Sequence, residues 1–190
     1  MRGYLGLALV AVLIAGCGSK EPAQAKGSAP WHDDIRPAAS ATKLGGANTT
    51  CPLPVAVDLP DKWRPVRIDA GDFNQGGLDA LCEIDAKPAG AVGFIRVWVG
   101  PATEPRQALE AYLAVQTKAR DVQYRDTTVG QGSGAEATWL DDETGRKRAF
   151  AMSTPLKTIM VSTGGIDDDE YLKMLPAFLL AKQSLAPLER

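Results

Sequence analysis

One histidine stands among the 190 residues, at position 32, far from the apolar-periodic stretches. Hydrolases built on Ser/His/Asp or Cys/His draw their base from an imidazole in the folded domain, so this class is disfavoured. There are three cysteines and no C-x-x-C pair, which removes the usual spacing of thiol redox and zinc sites. An excess of charge of one sign is also lacking, with 21 basic against 23 acidic residues and a net of −2. The longest basic run is Arg146-Lys147-Arg148, too short for a nucleic-acid stripe or a polybasic grip on anionic lipid. No apolar run approaches the ~20 residues that span a bilayer, since the longest, Tyr4 to Ile14, is about half that length.

That short run is nonetheless the most informative stretch. Arg2 supplies a basic start, Tyr4 to Ile14 form the apolar centre, and Ile14-Ala15-Gly16-Cys17 follows with the order of a bacterial lipobox. Residues 1–16 read as a lipoprotein signal peptide and Cys17 as the lipidated first residue of the mature chain. A plain secretory site at Ala23-Gln24-Ala25 lies too far beyond the apolar run. Two acyl chains on Cys17 hold a protein to a membrane where one is marginal. With no Arg-Arg pair before the apolar run, the chain is expected to cross unfolded, and no cofactor is expected. The address is the cell membrane, lipid-anchored, on its extracytoplasmic face.

Once Cys17 carries lipid, Cys51 and Cys82 remain as an even pair in an oxidising compartment, and a structural disulfide is expected between them. Residues 17–50 are rich in Ala, Gly, Ser, Pro and Lys and read as a flexible tether. Within it, Trp31-His32-Asp33-Asp34-Ile35 breaks the pattern. A docking segment or a stray aromatic cluster in a linker both account for it, and the second is the plainer reading.

Residues 51–190 are the size of one domain. Short apolar or alternating runs at Leu53–Asp58, Arg64–Ile68, Leu78–Ala86 and Val92–Gly100 read as strands, the last two joined around Lys87-Pro88-Ala89-Gly90. In the fourth, Ile95, Val97 and Val99 alternate with Phe94, Arg96 and Trp98, so one face is aliphatic and the other carries aromatics around a cation. Thr103 and Pro105 open a helix expected over Glu104–Arg120. Strands at Val122–Val129, Ala135–Leu140, Arg148–Ser153 and Thr158–Thr163 follow, then a C-terminal helix that Pro176 should kink or divide. This order implies an α+β fold: a mainly antiparallel β-sheet with one long central-sequence helix and a C-terminal helix packed on it.

Three features together carry a family resemblance: the lipobox and tether, Val57-Asp58-Leu59-Pro60-Asp61-Lys62-Trp63-Arg64-Pro65-Val66, and Cys82 to Gly90 leading into Phe94-Ile95-Arg96-Val97-Trp98. With these the chain resembles actinobacterial extracytoplasmic lipoproteins, some of which have a fold similar to the photosystem accessory protein PsbP. The resemblance carries no catalytic motif and implies a binding or accessory module.

Other constellations have plain structural accounts. Gly130-Gln131-Gly132-Ser133-Gly134 lacks the G-x-S-x-G frame and a following G-K-[ST], and reads as a turn. Asp167-Asp168-Asp169-Glu170 does not follow EF-hand spacing and suits the first turn of a helix, so no metal site is assigned. Phe94, Arg96 and Trp98 form the expected ligand-binding surface if no helix covers them. The chain is thus expected to bind an envelope protein or a small ligand, without nucleic acid and without catalysis. The alternative is an envelope hydrolase using a carboxylate pair, which would need two acids in one pocket.

Overall fold

The computed structural model describes residues 30–188. The signal segment, Cys17 and the first part of the tether lie outside the described residues. In chain order the elements are β1 (Thr42–Leu44), β2 (Val55–Leu59), β3 (Arg64–Arg67), β4 (Asn74–Gln75), β5 (Leu78–Asp85), β6 (Gly93–Pro101), α1 (Pro105–Ala114), β7 (Ala119–Val129), β8 (Gly132–Asp141), β9 (Gly145–Ser153), β10 (Lys157–Gly165), α2 (Asp168–Ser184) and β11 (Ala186–Pro187).

An eight-stranded sheet runs in the order β3-β5-β6-β10-β9-β8-β7, with β4 also paired to β5, and every described pairing is antiparallel. A second sheet of three short strands, β1-β2-β11, lies beside it. The two helices take opposite faces of the large sheet. On one face Ile95, Val97, Phe150 and Val161 meet Tyr171, Leu175 and Phe178 of α2 together with Val55 and Val57 of β2. On the other, Leu109, Tyr112 and Leu113 of α1 rest on Ala135, Ala137, Ala149 and Ala151, between Trp98 and Trp139. Small alanines in the middle strands let the short helix approach the sheet closely, while the two indoles fill the flanks. Because both faces are covered, residues 135–139 of β8 are buried without alternation. Cys51 and Cys82 are joined by a disulfide across 31 residues, with Cα atoms 5.7 Å apart, tying the approach to β2 onto β5.

Three boundaries depart from the sequence-based expectation. Helix α1 ends at Ala114, before Val115 and Thr117, and the chain from Ala119 instead pairs along β8 over the eleven residues of β7. β-Branched residues weaken helix propensity there, and the hairpin partner wins. Helix α2 passes through Pro176 as one element. Its apolar face continues on both sides of the proline, and that burial offsets a loss of about 3 kcal/mol for an interior proline.

The third departure concerns the tether. Residues 30–50 lie against the domain: β1 pairs with β2, and Ala38 N–H donates to Pro176 O at 2.8 Å. Polar, Pro-rich composition suggested a free linker, but Leu44 and Ile35 find apolar partners in the core. The segment 31–37, which we term the strap, crosses α2 and the free edge of the sheet.

Candidate functional site

Strands β7, β8 and β9 carry three charged residues on the α2 face. Antiparallel register sets Arg125 opposite Glu136, and Arg148 lies two residues before Phe150, which is itself opposite Glu136. Period-two geometry therefore places Arg125, Glu136 and Arg148 on one face. Glu136 and Arg148 are both 0% exposed at the side chain. Arg148 Nε donates to Glu136 Oε1 at 2.7 Å, Arg125 Nε donates to Oε2 at 2.9 Å, and Lys182 Nζ from α2 donates to Oε2 at 3.0 Å. One carboxylate thus holds three cations.

Lys182 is brought within reach by the β7–β8 turn. Gly130 has φ +56°, its N–H donates to Lys182 O at 2.8 Å, and a Cβ there would meet Leu185 O at 2.0 Å. Only glycine allows the turn to pack this closely on the end of α2.

The strap completes the cluster. Asp33 accepts two hydrogen bonds from the Arg125 fork, Nη1 at 2.6 Å and Nη2 at 2.7 Å. The Trp31 ring lies over the Arg125 guanidinium at 4.1 Å, and Trp31 O accepts from Arg148 Nη1. His32 sits edge-on to Tyr171 at 5.8 Å between ring centroids. Trp31–Ile35 is thus neither a free linker nor a stray cluster, but packs on the domain's own strands and on α2.

The electrostatics follow from this crowding. Burial alone pushes the Glu136 carboxyl up, but the hydrogen bond and charge of Arg148, joined by Lys182, outweigh it and hold the pKa below the usual carboxylate value. The Arg125 hydrogen bond holds Asp33 low as well. Burial pushes the Lys182 ammonium down, partly offset by Glu136. Burial also lowers the His32 imidazole and raises the Tyr171 hydroxyl to about 12.

Beside the cluster opens a cleft of about 480 Å³, where Asp33, Ile35 and Pro37 of the strap face Arg148, Leu179 and Lys182. Charged and apolar side chains alternate around its lining, Asp33 beside Ile35 and Pro37 on the strap and Lys182 beside Leu179 on α2. That is the character of a small-ligand site.

The surface expected from Phe94, Arg96 and Trp98 takes a different form. Trp98 is 2% exposed beneath α1, donates Nε1 to Ser162 Oγ at 2.9 Å and meets the Tyr112 ring at 5.2 Å. It belongs to the core because α1 covers that end of β6. Arg96 is paired with Glu83 and stacked with Phe94 at 4.5 Å and with exposed Phe73 at 5.3 Å. An open platform of three aromatic-cationic residues is thus reduced to Phe94 and Arg96 at the rim. Elsewhere, Asp167 caps α2 by accepting from Glu170 N–H at 2.8 Å, and Asp141 accepts from the Glu143 and Thr144 N–H groups of its turn.

Glu136, Arg125, Arg148 and Lys182 were not singled out by sequence reasoning. A signal was present in β8 and β9, where Glu136 lies between Ala135 and Ala137 and Arg148 leads directly into the apolar run Ala149-Phe150-Ala151-Met152. A charge inside such a run needs a partner.

A family model described as an uncharacterised lipoprotein matches residues 21–185. No curated protein matches the chain. Among solved structures, cyanobacterial PsbP (CyanoP) from Synechocystis sp. PCC 6803 is similar at 10% identity, with a TM-score of 0.54 over 79% of this chain and 94% of that one. LpqN of Mycobacterium tuberculosis, described as involved in cell envelope biogenesis, is similar at 14% identity and a TM-score of 0.48, over 77% of this chain and 90% of that one. The likeness to CyanoP concerns the fold.

Proposed function

The chain belongs to the uncharacterised lipoprotein family, and on that premise we propose that it is held by a lipid on Cys17 at the extracytoplasmic face of the cell membrane and acts there as a binding or accessory module without chemistry of its own. The observation that carries the binding role is the cleft bounded by Arg148, Lys182 and the strap, where the charges of Asp33, Arg148 and Lys182 lie among the apolar side chains of Ile35, Pro37 and Leu179. Such a lining orients a ligand rather than activating one.

The hydrolase alternative asks for a carboxylic acid whose pKa is raised so that it can donate a proton. The carboxyls with shifted values, Asp33, Glu136 and Asp141, all move downward. Glu136 in addition spends both oxygens on cations. These features favour binding.

In-cell crosslinking followed by affinity capture and mass spectrometry tests the reading, with Cys17→Ala as the unanchored control. The expected result is an envelope partner enriched with the anchored form, while Cys17→Ala leaves the membrane fraction or accumulates as precursor. Normal processing and retention of Cys17→Ala would overturn the anchor, and identical capture with both forms would overturn a role at the membrane.

A further inference from the structure

The charge cluster is more than a buried ion pair, because one of its donors is left over. Arg148 is fully buried, its Nε is held by Glu136 and its Nη1 by Trp31 O, yet its Nη2 makes no hydrogen bond among the described residues, and the neighbouring Tyr171 hydroxyl, on which the Arg148 side chain also acts, is buried and unpartnered as well. The nearest described carboxylate oxygen, Asp33 Oδ1, stands 3.6 Å away, beyond hydrogen-bond length. A buried donor of a charged group that goes unpaired is costly, so its presence beside a cleft calls for a partner.

Asp33 is an incomplete occupant of this place. Its carboxylate lies fork to fork on Arg125, the arrangement by which a planar carboxylate is recognised, and uses both oxygens there. It is 55% exposed and sits on a strap without regular secondary structure, whereas the cations below it are fixed by strands and a helix. With Asp33 lifted away, Arg125, Arg148 and Lys182 face Glu136 alone, three cations to one carboxylate. A single negative charge restores the present balance.

We propose that the cleft binds a small carboxylate-bearing ligand with a short apolar body, whose carboxylate takes the place of Asp33 on Arg125 and satisfies Arg148 Nη2. Lys182 adds a third cation on the cleft wall, and Ile35, Pro37 and Leu179 receive the apolar part. Asp33 then acts as a built-in competitor that keeps the cations paired when no ligand is bound. The inference rests on the binding-module reading and names the ligand class for its cleft.

Hexanoate, a carboxylate with a short apolar chain, serves as the probe, titrated into the full mature lipidated chain in detergent. Binding is read from the NMR shifts of the Arg125 and Arg148 Nε–H groups. Hexanamide has the same body without charge, and inorganic phosphate has charge without the body. Hexanoate is expected to shift both arginine signals while hexanamide does not. Asp33→Asn removes the competitor and should tighten hexanoate binding about tenfold, the equivalent of one charge-assisted hydrogen bond. Lys182→Gln should weaken it about tenfold, with Arg125→Gln as the second variant if the first does not fold.

No arginine shift with hexanoate in either the parent chain or Asp33→Asn would overturn the site. Equal binding by those two forms would overturn the competitor role, and phosphate binding without hexanoate binding would overturn the ligand class. A failed titration alongside a partner captured in the cell would leave the binding-module reading standing. Successful titration without cellular capture would keep both the site and the binding-module reading and overturn only the expectation of an envelope protein partner.

Discussion

The Glu136 carboxylate and the Arg148 guanidinium meet at 2.7 Å with neither side chain exposed to solvent. Their pairing fixes the wall of the cleft, since Arg148 carries Trp31 O on one nitrogen and faces Asp33 with another. Removing the acid would leave Arg125, Arg148 and Lys182 converging on a position with no negative charge. Glu136→Gln should therefore destabilise the domain by about 3–5 kcal/mol, the range for breaking a buried pair. Urea unfolding at neutral pH measures this, and a midpoint equal to that of the parent would remove Glu136 from the stability argument.

The same carboxylates set the acid limit. Asp33 and Glu136 have folded pKa values below 3.8 and 4.5, so the unfolded chain binds protons first as pH falls. Their contribution is fully present above those unfolded values and is lost as pH falls through the lower folded ones. Thermal midpoints should be flat with respect to these groups above about pH 5 and decline steeply below pH 4. In Asp33→Asn the decline should be shallower.

His32 adds a separate response nearer neutrality. Burial lowers its folded pKa from 6.5, so the unfolded state takes up a proton first and stability falls as pH drops below 6.5 through the folded value. Intrinsic fluorescence of Trp31, read against Trp31→Phe, should report loosening of the strap between pH 7 and 5. His32→Gln should flatten that change, and an unchanged profile in His32→Gln would assign it to other groups.

The disulfide ties the entry of β2 to β5, and the sequence separation is 31 residues. In the chain-entropy account a loop of this size gives about 3–4 kcal/mol. Cys51→Ala with Cys82→Ala should lower stability by that amount without altering far-UV dichroism. A thiol titration of the native exported protein is expected to find neither cysteine free.

Trp98 and Phe94 occupy the same strand face but different environments. Trp98→Ala opens a cavity beneath α1 and should cost about 3–5 kcal/mol. Phe94→Ala removes a half-buried ring stacked on Arg96 and should cost about 1 kcal/mol. Similar losses at both positions in thermal or urea unfolding would contradict the coverage of Trp98 by α1.

How far each feature could be read from the chain depended on the range of the interaction that creates it. Alternation in Ile95, Val97 and Val99 against Phe94, Arg96 and Trp98 identified a two-faced strand, because side-chain direction is set by the neighbouring peptide units. The acidic first turn of α2 was legible because its capping contact, Glu170 N–H to Asp167, spans only three residues. Pro176 misled in the same local frame: the helix it should divide is held together by the sheet beneath, which no window of sequence contains.

The candidate site lay wholly beyond that frame. Asp33 reaches Arg125 across 92 positions, and Lys182 reaches Glu136 across 46. In sequence a buried glutamate or arginine has the same identity as a solvated one, so the signs of Glu136, Arg125 and Arg148 were visible while their convergence was not. By itself the sequence determined the lipobox pattern at Cys17, the even cysteine pair, the period-two strands and the α+β order, all of which rest on local patterns or simple arithmetic. Only the tertiary structure decided that the strap docks, that α1 buries Trp98, and that three cations gather on one carboxylate beside a cleft. Those outcomes depend on which faces are covered and on desolvation, and both are properties of the assembled layers rather than of neighbours along the chain.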